Sequence, residues 1–273
     1  MGDARTYIDT DITTDKTYFI RLGSVRNNIE KVSEEFSVST EKGDEFWGSV
    51  NLLLQANATS YPSSVILDRS ISQRNVAVSG SVQIINTSNP KYNEGVIYSN
   101  GSSANKILAN IEAIGVRSFT LEGWVKSNAA SSGSEALLFG IWSDSSYLNG
   151  CVLLRDGTTN PARLRLAVST GAGSSDIGYA IPSSAATVLT NGEWVHVCVI
   201  RTAGTWNLYL NGVKVGTGAF NASANMSLTS FLALKSPMSG GVFACELNDI
   251  RLTNAVRYNV AGFTPPDKQF PIS

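Results

Sequence analysis

A single histidine, His196, stands in the run WVHVCVI (194–200), two residues before Cys198, in a chain rich in serine. Imidazole, thiol and hydroxyl are the ingredients of nucleophilic catalysis, which needs a nucleophile, a base and a group that orients the base. Alternation along a strand sends Trp194, His196, Cys198 and Ile200 to one side and Val195, Val197 and Val199 to the other. Both sides are apolar. The pattern predicts an interior strand covered on both faces, with His196 a core residue hydrogen-bonded inside the fold.

The acids offer a second chemistry. Glycoside hydrolysis needs two carboxylates flanking one bond. FTLEGWV (119–125) supplies Glu122 alone, and ELNDI (246–250) supplies Glu246 and Asp249. Regular alternation puts those two on opposite faces, where they cannot share a substrate. The three cysteines, Cys151, Cys198 and Cys245, each lie in an apolar run. Buried free thiols are expected, which suits a reducing cytoplasm, and no Cys/His cluster offers a zinc site.

Composition narrows the partners. The chain has 273 residues, 21 Lys+Arg against 22 Asp+Glu, and a net charge of −1. No basic block favours nucleic acid or an anionic membrane surface. No apolar run reaches membrane-spanning length, and MGDARTYIDTDITTD lacks the apolar stretch of a signal peptide. Neither nucleic-acid binding nor membrane insertion is expected.

The elements that must position these residues are short apolar runs separated by Gly, Ser, Thr and Asn. They include SVNLLLQA, SVQIIN, GVIYS, SFTLEGWVK, ALLFGIW, CVLLRD, ARLRLAVS, WVHVCVIR, WNLYLNG, VKVGTG, SFLALK and VFACELNDIRLT. About a dozen strands of this length predict an all-β sandwich or jelly roll. Asn211-Gly212 between WNLYL and VKV is the strongest hairpin signal, because a type I′ turn needs positive φ at both positions. NKILANIEAIG (105–115) has some 3.6-residue spacing and predicts a short helix.

Residues 1–45 differ in character, being more charged, and carry two strand-like runs, TYFIRLGSV and EEFSVST, before Glu41-Lys42-Gly43-Asp44. A segment of this length cannot bury a core of its own. It is expected to pair with something else, as an attachment or oligomerisation segment preceding a domain over 46–273.

FTLEGWVK (119–126), GEWVHVCVIR (192–201), WNLYLNGVKVGTG (206–218) and ELNDIRLTNAVRY (246–258), in that order, resemble a laminin-G-like or concanavalin A-like lectin/glucanase jelly roll. NLLLQA (51–56) and GVIYSNGSSANKIL (95–108) match its opening strands less closely. The resemblance implies an all-β, antiparallel two-sheet jelly-roll sandwich preceded by a short β segment. The ending NDIRLTNAVRYNVAGFTPPDKQFP, with its RY step and FTPP exit, resembles jelly rolls of bacteriophage tail and other virion proteins. The N-terminal segment is similar to the last strands of a fibronectin type III domain whose earlier strands are missing.

Glycanases of the resembling family carry a carboxylate pair, typically ExDxxE, on one concave-face strand; this sequence has none. Calcium is the ion the resemblance implies, held near the last strand and in the loop of YSNGS (98–102). Asn100 and Asn248 stand where relatives carry acids, beside Asp249, so a weak site is expected from these three. Trp142, Tyr147 and Tyr179 are loop aromatics that could stack on sugars, whereas Trp124, Trp194 and Trp206 lie in strands and read as core. The expected protein is a non-enzymatic virion protein, tail-associated or fibre-like, contacting host surface glycan or other virion proteins. A homo-oligomer is expected, a trimer first. Capsid decoration or a structural tail role is the second reading, and a glycan hydrolase the third.

Overall fold

The computed structural model describes residues 17–26, 29–39, 43–92, 95–128, 135–143, 150–156, 161–169, 177–221, 224–234 and 243–272. They form two compact units, residues 1–45 and 46–272.

The first unit holds β1 (Thr17–Ile20), β2 (Gly23–Arg26), β3 (Ile29–Val32) and β4 (Phe36–Ser39). β1 pairs with β4 and β2 with β3, both antiparallel. The run TYFIRLGSV, expected as one strand, breaks at Arg21-Leu22, where the backbone N–H of Ser33 donates to Leu22 O (2.7 Å) and Leu22 N–H to Ser33 Oγ (2.9 Å). Phe19, Leu22, Val25, Ile29 and Val32 are exposed. Such a ribbon buries little by itself.

The second unit continues with β5 (Val50–Gln55), β6 (Leu67–Asp68), β7 (Val76–Ser79), β8 (Gln83–Ile85), β9 (Val96–Asn100) and β10 (Lys106–Asn110). Then come β11 (Phe119–Ser127), β12 (Ala136–Ile141), β13 (Cys151–Asp156), β14 (Arg163–Ser169) and β15 (Ile177–Ile181). The last are β16 (Trp194–Thr202), β17 (Thr205–Leu210), β18 (Val213–Gly218), β19 (Ser230–Ala233) and β20 (Ala244–Thr253).

One sheet runs β15-β14-β13-β12-β19-β10-β7, and the larger one β18-β17-β16-β11-β20-β5-β6, with β9 also on β20 and β8 on β9. All the pairings between these strands are antiparallel. Leu121, Val197, Val199, Leu208 and Leu252 of the larger sheet join Ile107, Phe139, Leu153, Leu166 and Phe231 of the other in one apolar cluster. The fold is the expected two-sheet jelly-roll sandwich.

Two local readings have different outcomes. Asn211 (φ +49) and Gly212 (φ +77) form the two-residue turn between β17 and β18, as the Asn-Gly pair predicts. A Cβ on residue 212 would also lie 1.8 Å from Phe263 O, so glycine is required there twice over. The helix expected within 105–115 is instead β10. Ile107 and Ala109 alternate as buried residues, and the strand is hydrogen-bonded to β7 and β19. Period two prevails because pairing partners exist on both sides, and a short apolar run cannot announce them.

Candidate functional site

β16 lies between β11 and β17 and is buried along its length. Val195, Val197 and Val199 enter the core between the sheets, while Cys198 and Ile200 pack outward under Val256, Tyr258 and Phe263. The outer cover is therefore the segment after β20. Phe263 stacks on Tyr258 (3.9 Å, 6°) and meets the His196 ring edge-on at 5.9 Å. Phe263 N–H also donates to Gly212 O (3.1 Å), tying the cover to the hairpin. This places the RY step and the FTPP exit: both close the outer face of the larger sheet.

The outer face is not wholly apolar, as the run WVHVCVI alone suggested. Glu122 of β11 points into it, diagonal to His196, and His196 Nε2 lies 3.2 Å from Glu122 Oε2. Arg257 binds Glu122 Oε1, and the Tyr258 hydroxyl donates to Oε2 at 2.7 Å. Thr120 Oγ1 holds the turn in place by accepting from Arg257 N–H (3.1 Å) and donating to Ala255 O (2.8 Å). Glu122 and His196 are both fully buried.

Burial alone would push the Glu122 carboxyl up; the Arg257 guanidinium, with His196 and the Tyr258 hydroxyl, outweighs it and brings it down to about 2. Burial and the Glu122 charge push the Cys198 thiol well up, opposite to what a nucleophile needs. A charged Glu122 enclosed by a cation, a phenol and an imidazole is built to hold a chain segment. It is closed to a substrate.

The last strand overturns the face assignment of its acids. β20 carries a bulge, with its register to β11 shifting between Glu122/Arg251 and Trp124/Asn248 and Asp249 at φ +49. Cys245 and Leu247 before the bulge, and Ile250 and Leu252 after it, all join the inner core. Glu246, Asn248 and Asp249 consequently share the outer side. They still make no catalytic pair. Glu246 binds Lys126 (3.0 Å) and Asn128 (3.2 Å), while Asp249 Oδ2 accepts from Phe270 N–H (2.8 Å). Burial pushes the Asp249 carboxyl up to about 7, against the pull of the Phe270 N–H, and the Glu122 charge adds to the rise.

The three calcium candidates do not converge. Asn100 pairs across β9–β20 with Ala244, four residues before Asn248, about 13 Å of strand. Its Oδ1 accepts from Ser81 Oγ (2.9 Å), Ser102 N–H (3.0 Å) and Asn105 Nδ2 (3.0 Å), so the side chain closes its own loop. Asn248 Nδ2 donates to Gly95 O (3.3 Å) beneath the cover. Asn248 Oδ1 and Asp249 Oδ1 are buried without hydrogen-bond partners, two oxygens where a calcium site would need six or more. Among the described residues no group of three His, Cys, Asp or Glu could hold a metal.

The aromatic candidates also separate. Trp142 is fully buried with Leu137, Val152, Leu154 and Leu232, a correction to its reading as a loop residue for a ligand. It follows β12 directly and packs on the outer face of the smaller sheet, opposite to Ile141 and the core between the sheets, with its backbone N–H donating to Ser230 O (3.1 Å). Tyr147 lies outside the described residues. Tyr179 is on β15, an edge strand, and is 42% exposed, with Arg165 over its ring (4.4 Å) and its hydroxyl 3.2 Å from Glu135 Oε1. Of the strand tryptophans, Trp206 and Trp124 are core, and Trp194, at the start of β16, is half-buried. The free thiols Cys151, Cys198 and Cys245 are all buried.

Comparison with solved structures gives jelly-roll binding domains at low identity. The binding domain of Paraclostridial Mosquitocidal Protein 1 aligns with a TM-score of 0.58 and 14% identity over 77% of this chain and 50% of that one. The botulinum neurotoxin serotype G binding domain gives 0.54 and 13% over 74% and 47%. Botulinum neurotoxin type C, whose cell entry depends on interaction with two ganglioside molecules, gives 0.55 and 14% over 77% and 48%. This chain thus spans about half the length of these structures. No curated protein matches. Residues 92–257, from the loop before β9 to the arginine that clasps Glu122, match the family described as "Concanavalin A-like lectin/glucanases superfamily", of the Laminin G 3 type. With β9 to β20, the Asn211-Gly212 hairpin and the Glu122–Arg257 pair inside that match, the chain belongs to the concanavalin A-like lectin/glucanase superfamily.

Proposed function

We propose that the chain is a non-enzymatic bacteriophage virion protein whose jelly roll binds host surface glycan or another virion protein, and whose N-terminal ribbon attaches it to the particle. The observation that carries the non-enzymatic part is the sealed outer face. Glu122 is fully buried under Arg257 and Tyr258, and Asp249 is occupied by the Phe270 N–H. No carboxylate pair of the kind that cleaves glycosidic bonds stands open to a sugar among the described residues.

Binding is the use that the family and the binding-domain neighbours support, among them the neurotoxin whose cell entry depends on two ganglioside molecules. The virion setting rests on the resemblance of the RY and FTPP ending to jelly rolls of tail proteins. A capsid-decoration or purely structural tail role is the second reading, favoured by the exposed apolar ribbon at Phe19, Val25 and Ile29. A glycan array probed with the full chain tests the first reading. An electron-microscopy map of the particle tests both, because it locates the protein directly. Binding to at least one glycan and a position on the tail are expected. No glycan bound together with a capsid position would replace the first reading by the second.

A further inference from the structure

On one flank of the sandwich the two sheets end without meeting. β6 is the last strand of the larger sheet and pairs only with β5; β7 is the last of the other and pairs only with β10. Between them lies a cleft of about 760 Å³, with a second of about 420 Å³ beside it. Both volumes lie in the range of ligand-binding pockets. Val65, Leu67 and Arg69 line both cavities, so β6 stands as a ridge between two halves of one groove.

The segment 68–74 is shaped by a buried acid that presents two cations. Asp68 Oδ1 accepts from the N–H groups of Leu53 (3.0 Å) and Ser70 (2.9 Å), and Oδ2 from Ser70 Oγ (2.8 Å) and Arg74 N–H (2.9 Å). Its charge is consumed within the loop. Arg74 is shared with exposed Glu112 (2.8 Å). Arg69 has no acid partner among the described residues, and the Nε atoms of both arginines are buried without a hydrogen-bond partner. Residues 46–273 carry 15 Lys+Arg against 12 Asp+Glu, so this unit is positive although the whole chain is not. Trp47 supplies an aromatic wall, and Ser64, Gln73 and Asn75 supply hydroxyl and amide groups.

We infer that this groove binds an acidic oligosaccharide, a uronic-acid type of sugar whose carboxylate is taken by Arg69. This rests on the glycan-binding reading above and adds its place and chemistry. A guanidinium fork matches a carboxylate, an aromatic face matches a sugar ring, and amides and hydroxyls match its hydroxyl groups. An acidic peptide could meet the charge and the polar lining, but a run of acidic residues has no ring to set against the Trp47 wall.

The test is calorimetric titration of the full chain with tetragalacturonate, with maltotetraose as the neutral match and tetraglutamate as the peptide match. Binding of the galacturonate alone is expected, weakening with salt. Arg69→Gln should weaken it on the order of tenfold, the loss expected for one charge-assisted contact. The melting temperature should change little, because the Arg69 side chain makes no hydrogen bond or ion pair among the described residues. Equal binding of tetraglutamate would overturn the sugar assignment in favour of a peptide. An Arg69→Gln variant that binds galacturonate as well as the wild type overturns the groove while leaving glycan binding standing. A wild type that binds no sugar here, yet binds others on the array, also overturns the groove alone; a blank array overturns both.

Discussion

Glu122 and Arg257, 135 residues apart in the sequence, form a buried ion pair that fastens the chain's closing segment across the outer face of the larger sheet. The clasp has a second point at the other end of the segment, where Gln55 Nε2 donates to Phe270 O (2.8 Å) and Phe270 N–H donates to Asp249. Between them Phe263 roofs His196 and Tyr209. Strands β11, β16 and β20 would otherwise show water a face holding a carboxylate, an imidazole and a thiol. The fold spends its reactive groups on cohesion.

Glu122→Gln should destabilise the domain by about 3 kcal/mol, because removing one partner leaves Arg257 short of its counter-charge in a closed site. The carboxyl's folded value, about 2, lies below its unfolded 4.5, so its contribution is complete above pH 4.5 and is lost as pH falls through 2. Thermal melts from pH 7 to pH 2 should show the wild-type advantage over the variant shrinking only below about pH 4.5. An advantage independent of pH would mean that packing, not charge, is what the glutamate contributes.

Asp249 should behave with the opposite sign. Its folded value of about 7 lies above the unfolded 3.8, so the contribution is complete below pH 3.8 and is lost as pH rises through 7. Asp249→Asn keeps an oxygen for the Phe270 N–H and removes the buried charge. The variant should melt with the wild type at pH 3.5 and several degrees above it at pH 8.5. A variant less stable at both values would show that the carboxylate is needed as a charge.

How far the sequence discloses all this depends on the range of the interaction. The Asn211-Gly212 turn was legible because a two-residue hairpin is set by local φ angles. The covered faces of β16 were legible because apolar residues alternate on both sides of WVHVCVI. The clasp was not: Arg257 and Tyr258 could be quoted as part of a familiar ending, but nothing near them in the chain points to Glu122. The bulge at Asp249 was equally silent. One inserted residue reverses the parity of every residue after it, and the acids judged to face apart share a side. Trp142 was misplaced for a related reason, since it sits one step past β12 and continues its alternation, packing with Leu137, Val152, Leu154 and Leu232 on the outer face of that sheet. Arg69 and Arg74 gave no motif. The role proposed for them depends on two sheet edges that come to flank one cleft only in the folded chain.

His196→Gln should lower stability by about 1–3 kcal/mol and leave binding unchanged. The ring is fully buried, 5.0 Å from Trp124 and beside Glu122, with no path to a ligand. Glutamine keeps a donor but gives up both aromatic edges. Denaturant melts and a glycan-binding assay on the same preparation check this. A variant of full stability that has lost a catalytic activity would make the histidine a working base after all.

Removing residues 1–44 should leave a folded jelly roll that no longer oligomerises or joins the particle. The cut falls at the border of the two compact units, before Trp47 and β5, and takes away none of the core cluster. Its described residues form a ribbon of four short strands with Phe19, Leu22, Val25, Ile29 and Val32 exposed, in which β1 pairs with β4 and β2 with β3 and no further strand pairing is seen among the described residues. Bare edges are templates for strands of another chain, and strand addition is a common way for β proteins to join partners. Exposed apolar residues on such a ribbon are the part of the chain most in need of a neighbour, and a ring of identical copies, a trimer first, would supply one at each ribbon. Light scattering of the full and shortened chains gives the oligomeric state, and particle incorporation gives the attachment. If both are the same with and without the ribbon, the proposed attachment role is lost and the segment is only an appendage to its own domain.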